Sequence, residues 1–214
     1  KNIDWEDITA DTDFIYIADI GNNQGTRQNL RVYKILQADY WASDTVFADT
    51  ISFSYAEQTS FTPAPFQTNY DAEALICRGD SLYVFTKQWG SPGTRVYKLP
   101  KTPGTFVTSV YDSIPLNSGL VTGAELQNFG INTTLDLLIN TPSGPEIRLY
   151  SGISGKFSDK FWDVYSPNLY GSIQAEGICR DHVARLYISS EAFNGQKAML
   201  SSVFLAMNIE EDKL

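Results

Sequence analysis

The sequence has few of the residues on which common catalytic and metal sites are built. His182 is the single histidine among 214 residues, so a Ser/His/Asp triad would have to be built around it. The two cysteines, Cys77 and Cys179, lack the CxxC or Cys/His spacing of a zinc site. We read them as buried small hydrophobes, with a disulfide as the alternative. Residues 152–156 (GISGK) form neither a nucleophile elbow nor a Walker loop, because Phe157 follows the lysine where Ser or Thr is needed.

Long apolar runs and an excess of positive charge are also missing. No run approaches the ~18–20 apolar residues needed to span a bilayer, so we expect no membrane insertion. The net charge is −9 and the pI is near 4.5, which argues against binding to nucleic acid or anionic lipid. A cation, a basic partner or a neutral glycan suits this charge better, although acidity also serves solubility alone.

What the sequence does contain is a short acidic phrase that recurs. It reads DWEDI at residues 4–8, DAEAL at 71–75, TGAEL at 122–126 and QAEGI at 174–178. The glutamates of the four copies, Glu6, Glu73, Glu125 and Glu176, are about 67, 52 and 51 residues apart, a period that suits the blades of a β-propeller.

Each phrase is followed by short β-branched and aromatic runs bounded by Gly, Pro or Asn. Such runs, for example FIYIA at 14–18, predict the strands of an antiparallel meander. Residues 50–55 and 161–165 supply outer strands, and residues 36–44 could form one helical turn. No window of 12 or more residues keeps a helical apolar period. The sequence therefore predicts an all-β fold, a β-propeller of four-stranded antiparallel blades.

The chain reads as a single domain over residues 1–214, with about four blades. A propeller usually closes its ring by pairing strands from its two ends, because open edges invite aggregation. We see no residues left over for closure. We therefore expect part of a five- or six-bladed ring that lacks an N-terminal piece, and we expect a monomer.

The first 35 residues carry a family resemblance. DWEDI at 4–8, ADIGNN at 18–23 and RQNLRVY at 27–33 resemble the signature of a group of bacterial, exported β-propeller proteins, most of them uncharacterised. The group is similar to the esterase-like phytase and SdiA-regulated propellers. The resemblance implies a secreted, periplasmic or cell-surface location. Its phytase-like members imply calcium and phosphoester chemistry, although this chain lacks a dense set of Lys and Arg to hold a polyphosphate.

The topology of a meander places two sets of side chains at one edge of the channel. Glu6, Glu73, Glu125 and Glu176 start the innermost strands, and the next strands end at Asp19, Lys87, Asn140 and Glu191. Crowded carboxylates raise each other's pKa unless a cation neutralises them, so we predict the glutamates as ligands of Ca²⁺. The alternative is structural, in which they accept backbone N–H bonds from the neighbouring blade.

The second set, together with Arg27, is predicted to contact a ligand. Arg27 could anchor an anion, or it could simply pair with Asp19. Trp5 is expected to pack between blades, with a stacking platform for a ligand as the alternative. The GNNQG loop at 21–25 is expected to be a turn whose polar groups could also face the channel.

Two functions follow from these patterns. The first is an exported, non-enzymatic binding module whose acidic pore face holds Ca²⁺ or a small ligand, with a small molecule, a glycan or a protein as partner. The alternative is a calcium-dependent phosphoester hydrolase in which Lys87 or Arg27 contacts phosphate. Two ring carboxylates could also hydrolyse a glycoside, depending on their separation.

Overall fold

The computed structural model describes residues 2–129, 132–167, 174–181, 185–192, 195 and 197–204. Sixteen strands in these residues form four antiparallel blades around a central channel, which confirms the predicted all-β propeller. His182 lies outside the described residues. No helix among the described residues has the length and hydropathy to cross a membrane. The prediction of a fifth or sixth blade concerns sequence beyond these four blades and stays a prediction.

The first two blades account for the first half of the chain. Blade 1 contains β1 (Trp5–Ala10), β2 (Phe14–Asp19), β3 (Leu30–Leu36) and β4 (Asp49–Tyr55). Blade 2 contains β5 (Asp71–Arg78), β6 (Ser81–Lys87), β7 (Thr94–Pro100) and β9 (Val110–Ile114). Strand β8 (Gly104–Thr108) leaves blade 2 and pairs in parallel with β4, so it ties the outer edge of blade 1 to its neighbour. The predicted helical turn is α1 (Gln37–Ala42), a surface helix with no buried residue.

The last two blades follow the same order. Blade 3 contains β10 (Leu120–Phe129), β11 (Asn132–Thr141), β12 (Gly144–Ser151) and β13 (Phe161–Tyr165), with a 3₁₀ turn at Ser158–Lys160. Blade 4 contains β14 (Gln174–Arg180), β15 (Arg185–Glu191) and β16 (Met199–Phe204). The outer strands β4 and β13 match the predicted runs at 50–55 and 161–165.

Apolar side chains between successive blades form the core. In β4 the buried residues Ile51, Phe53 and Tyr55 alternate with more exposed ones, as expected when one face of a strand packs inward. Tyr55 meets Tyr97 of blade 2 with ring centroids 4.3 Å apart. Three clusters of this kind join blades 1 and 2, blades 2 and 3, and blades 3 and 4. This packing fixes the inner strands, whose first residues line one face of the channel.

The cysteines differ from expectation in one respect. Both are free, and Cys77 is partly buried. Cys179 is exposed, which corrects the prediction that both are buried. Its neighbours Ile178 and Arg180 point toward blade 3 and are buried, so the alternation of β14 turns Cys179 to the opposite face.

Candidate functional site

Every innermost strand contains a β-bulge near its start. The register shifts between Trp5 and Asp7 in β1, and equivalent shifts occur in β5, β10 and β14. The extra residues at the four bulges are Glu6, Glu73, Thr122 and Glu176. A bulge interrupts the alternation of side chains and re-aims the inserted residue. The acidic phrase is therefore a bulge motif that aims three glutamates at the channel.

The third copy of the phrase differs from the other three. Its bulge in β10 is occupied by Thr122, three residues before Glu125. Glu125 lies farther along the strand, opposite Asp136, and accepts a hydrogen bond from Gln127 at 2.6 Å. The prediction that Glu125 joins the other three glutamates is corrected, because the bulge sets which residue faces the channel mouth.

Glu6, Glu73 and Glu176 meet at a cavity of about 440 Å³, here called the pore-face cleft. Lys87, from the end of β6, also lines it, and its Nζ lies 3.0 Å from Oε1 of Glu73. Glu73 and Lys87 are only 4% and 6% exposed. Asp4 and Glu191 complete the set of carboxyl groups around the cleft. Three blades thus deliver acidic side chains to one place.

A single ammonium group faces several carboxyl groups in the pore-face cleft. Burial, followed by the nearby Asp4 and Asp71, raises the pKa of Glu6 to about 8. Burial likewise raises the pKa values of Glu73 and Glu176. Burial alone would lower the pKa of Lys87, but the carboxylates of Glu73 and Glu176 outweigh it and raise that pKa. Lys87 therefore stays charged beside Glu73, while Glu6 retains its proton near neutral pH.

Aromatic rings form the rest of the wall. Trp5 lies at the cleft and is 50% exposed, so it is not buried between blades as expected. The indole of Trp89 has its ring centre 5.0 Å from Nζ of Lys87, and its Nε1 donates a 2.7 Å hydrogen bond to Asp71. Phe66 meets Trp89 edge-on at 5.0 Å and has a φ of +54°, a left-handed conformation that residues other than glycine rarely adopt. Sequence patterns gave no signal for Trp89 or Phe66.

Residues at the ends of the second strands do not all reach the cleft. Lys87, Asn140 and Glu191 occupy equivalent positions. Each pairs with the residue of the innermost strand that lies two positions before the bulge. Lys87 and Glu191 line the cleft, and their contact with a ligand stays a prediction. Asn140 instead spans the junction of blades 3 and 4, since its amide donates to the carbonyl of Ala175 at 2.9 Å and accepts from its N–H at 3.2 Å.

Asp19 and Arg27 contact each other and the loop that follows β2. Asp19 pairs with Trp5, one residue before the bulge, so it is displaced by one position from the other three. Its Oδ1 accepts from Nη2 of Arg27 at 2.8 Å and from the N–H of Asp4 at 3.0 Å. Nη1 of Arg27 donates to the carbonyl of Gly21 at 2.7 Å. The predicted alternative, pairing of Arg27 with Asp19, is confirmed, and the pair holds the GNNQG loop.

Other side chains make the hydrogen bonds between blades that were considered for the repeat glutamates. Oδ2 of Asp7 accepts from the N–H of Leu75 at 2.7 Å, which joins blades 1 and 2. Asp71 accepts from the N–H of Asn22 at 2.6 Å. Asp7 and Asp71 thus make contacts that were predicted for the repeat glutamates. Oε1 of Glu176, by contrast, is buried and accepts no hydrogen bond from the described residues.

A second group of charges lies farther along the channel. Nη2 of Arg180 pairs with Oδ2 of Asp136 at 2.6 Å, and both side chains are almost fully buried. This ion pair joins blades 3 and 4. Burial raises the pKa of the nearby Glu125 to about 7. Within the described residues, no group of three or more His, Cys, Asp or Glu side chains is arranged to hold a metal ion.

Comparisons with known proteins identify distant structural neighbours. No family model and no curated protein matches the chain. Among solved structures, the chain is similar to an alpha-L-arabinofuranosidase from Podospora anserina, crystallised in complex with cellotriose. The two are 10% identical, with 93% of this chain and 89% of that chain covered and a TM-score of 0.41. The resemblance to exported bacterial propellers stays a prediction.

Proposed function

We propose that this chain is an exported binding module whose pore-face cleft takes a cation or a small polar ligand. The observation that carries the proposal is the convergence of Glu6, Glu73 and Glu176, from three different blades, around one buried lysine. Export rests on the family resemblance.

The cost of this arrangement supports a role in binding. Burying several carboxyl groups side by side is unfavourable, and each raised pKa measures that penalty. The blades do not need these groups as spacers, because Asp7, Asp71 and Asn140 already make hydrogen bonds at their junctions. An unfavourable cluster that the fold does not use is typical of a ligand site.

Calcium is the first cation to test. A hard cation binds oxygen ligands and would allow the crowded carboxyl groups to ionise, so binding would release protons. Because the described side chains are not arranged for a metal, the carboxylates would have to move toward the ion. Lys87 would then lose part of its attraction for Glu73.

The test is calorimetric titration with CaCl₂ at pH 8 in two buffers of different ionisation enthalpy, alongside a thermal-shift screen of small polar metabolites. We expect proton release with Ca²⁺, or a stabilising metabolite, and loss of that response in Glu176→Gln. Glu125→Gln is the matched control, since it also neutralises a largely buried repeat carboxyl but lies outside the cleft. The absence of any binding, or equal loss in both variants, would contradict the proposal.

A calcium-dependent phosphoester hydrolase remains the alternative at the same cleft. The contacts favour it less, because Lys87 is already paired with Glu73 and Arg27 with Asp19. Turnover of bis(p-nitrophenyl) phosphate that requires CaCl₂ and disappears in Glu176→Gln would establish hydrolysis. Binding without turnover would support the binding module.

A further inference from the structure

A second cavity, of about 450 Å³, lies between blades 2 and 3, beside the pore-face cleft. Trp89 lines both cavities, so they adjoin at one indole. The other side chains used in the argument are Gln88, Ser91, Pro92, Asn140 and Pro142. A volume of several hundred Å³ with a few polar groups is the usual size for a small-ligand pocket.

The chemistry of this cavity differs from that of the cleft. Its lining residues carry no formal charge, whereas five carboxyl groups and one ammonium line the cleft. A charged ligand would lose hydration here without gaining an opposite charge. The two prolines and the indole offer apolar surface, and the amides offer hydrogen bonds. The cavity therefore suits a neutral group with both polar and apolar faces.

One hydrogen-bond donor in the wall has no partner. Gln88 is only 7% exposed, and its Nε2 makes no hydrogen bond within the described part of the chain. Its Oε1 already accepts from Oγ of Ser91 at 3.1 Å. Asn140 already uses one amide N–H and one oxygen lone pair on the backbone of Ala175. Buried donors nearly always have an acceptor, and a molecule bound in this cavity could supply the oxygen that Nε2 of Gln88 needs.

We propose that this cavity is a subsite for one neutral sugar residue of a saccharide chain whose next residue enters the pore-face cleft. The inference rests on the proposed binding function and names its ligand class. A sugar hydroxyl accepts from Nε2 of Gln88, and the apolar face of the sugar ring lies against Trp89. Hydroxyl groups both donate and accept, so the following sugar can also bond to the protonated and ionised carboxyls of the cleft.

The experiment begins with an array of neutral glycans, followed by calorimetry with the best-binding oligosaccharide and its constituent monosaccharide. An oligosaccharide that fills both cavities should bind about tenfold or more tightly than the monosaccharide. Gln88→Met keeps the length of the side chain and removes the donor. Its loss of one hydrogen bond should weaken oligosaccharide binding about 5- to 10-fold.

Gln58→Met is the matched control. Gln58 is also 7% exposed, but its Nε2 donates to the carbonyl of Gly25 at 2.8 Å. Gln58→Met should lower the melting temperature and leave affinity unchanged. Gln88→Met should lower the melting temperature less than Gln58→Met does, because besides the acceptor for Oγ of Ser91 it removes a buried donor that has no partner among the described residues. Ser91→Ala, at the partly buried Ser91, gives a second variant if Gln88→Met does not fold.

The outcomes separate the two proposals. If CaCl₂ or a metabolite binds but no neutral saccharide does, the sugar subsite is wrong and the binding module stands. If nothing binds, both are wrong. If a saccharide binds but neither Gln88→Met nor Ser91→Ala weakens it, the sugar lies in the cleft alone and the subsite is wrong.

Discussion

Replacing Lys87 by methionine should destabilise the fold in a way that depends on pH. Nζ of Lys87 and Oε1 of Glu73 are 3.0 Å apart, and their side chains are 8% and 5% exposed. Methionine preserves most of the volume and removes the charge, which leaves Glu73 beside Glu6 and Glu176 without a cation. Breaking a buried ion pair by deleting one partner typically costs about 3–5 kcal/mol.

The sign of the pH effect follows from the carboxyl that remains. Burial keeps the folded pKa of Glu73 above its ordinary value of 4.5, and removing Lys87 removes the largest influence that lowers it. Below about pH 4.5 the Glu73 carboxyl is neutral in both the folded and the unfolded protein. The variant then loses only the hydrogen bond between Lys87 and Glu73, which costs about 1–3 kcal/mol. As pH rises, the unfolded chain releases this proton first, and the free energy of unfolding falls further. The cost should therefore reach about 3–5 kcal/mol near pH 8.5.

Urea unfolding of wild type and Lys87→Met at pH 5 and pH 8.5 measures both quantities. The double variant Glu73→Gln/Lys87→Met should be more stable than Lys87→Met at pH 8.5, because it no longer holds an unpaired buried carboxylate. An equal loss at the two pH values, or no recovery in the double variant, would refute the reasoning.

Three further results are expected. In the wild type, burial raises the pKa values of Glu6 and Asp7 to about 8. The free energy of unfolding measured in urea should therefore fall from pH 5 to pH 9, because the unfolded chain releases these protons first. A rise over this range would contradict the proposed protonation. Gly21→Ala would place a Cβ against the carboxyl groups of Asp4 and Glu6 and should cost about 1–3 kcal/mol in thermal unfolding, whereas Gly155→Ala, which meets nothing within 4 Å, should cost little; equal melting temperatures would be inconsistent with the packing. Asp136→Asn removes the charge that pairs with buried Arg180 and should lower the free energy of unfolding in urea by about 3–5 kcal/mol, and a change below about 1 kcal/mol would show that the pair is unimportant.

The fold was predictable because its signals are local. Alternating apolar residues, Gly and Pro turns and a repeated phrase each depend on a few consecutive residues. The outer strand β4 and the short helix α1 lie where the pattern placed them. The convergence of Glu6, Glu73 and Glu176 also followed from the repeat together with the geometry of a meander.

The errors in the site arose from positions counted along the strands. The third copy of the motif is degenerate, and Thr122, three residues before Glu125, takes the place assigned to that glutamate. Asp19 falls one position from Lys87 and its counterparts, because a bulge displaces every later residue by one position. Gln88 and Trp89 were missed because their roles depend on loops that meet them from other parts of the chain.

The blades, their order and the concentration of acidic side chains at one edge can be read from the sequence alone, since periodicity and turn chemistry depend on neighbouring residues. Tertiary contacts are needed to know which carboxyl groups face one another, that Asp19 and Arg27 hold a loop, and that Nε2 of a buried glutamine in an uncharged cavity has no partner among the described residues. Those properties depend on burial and on distances between blades, and residues far apart in sequence set both.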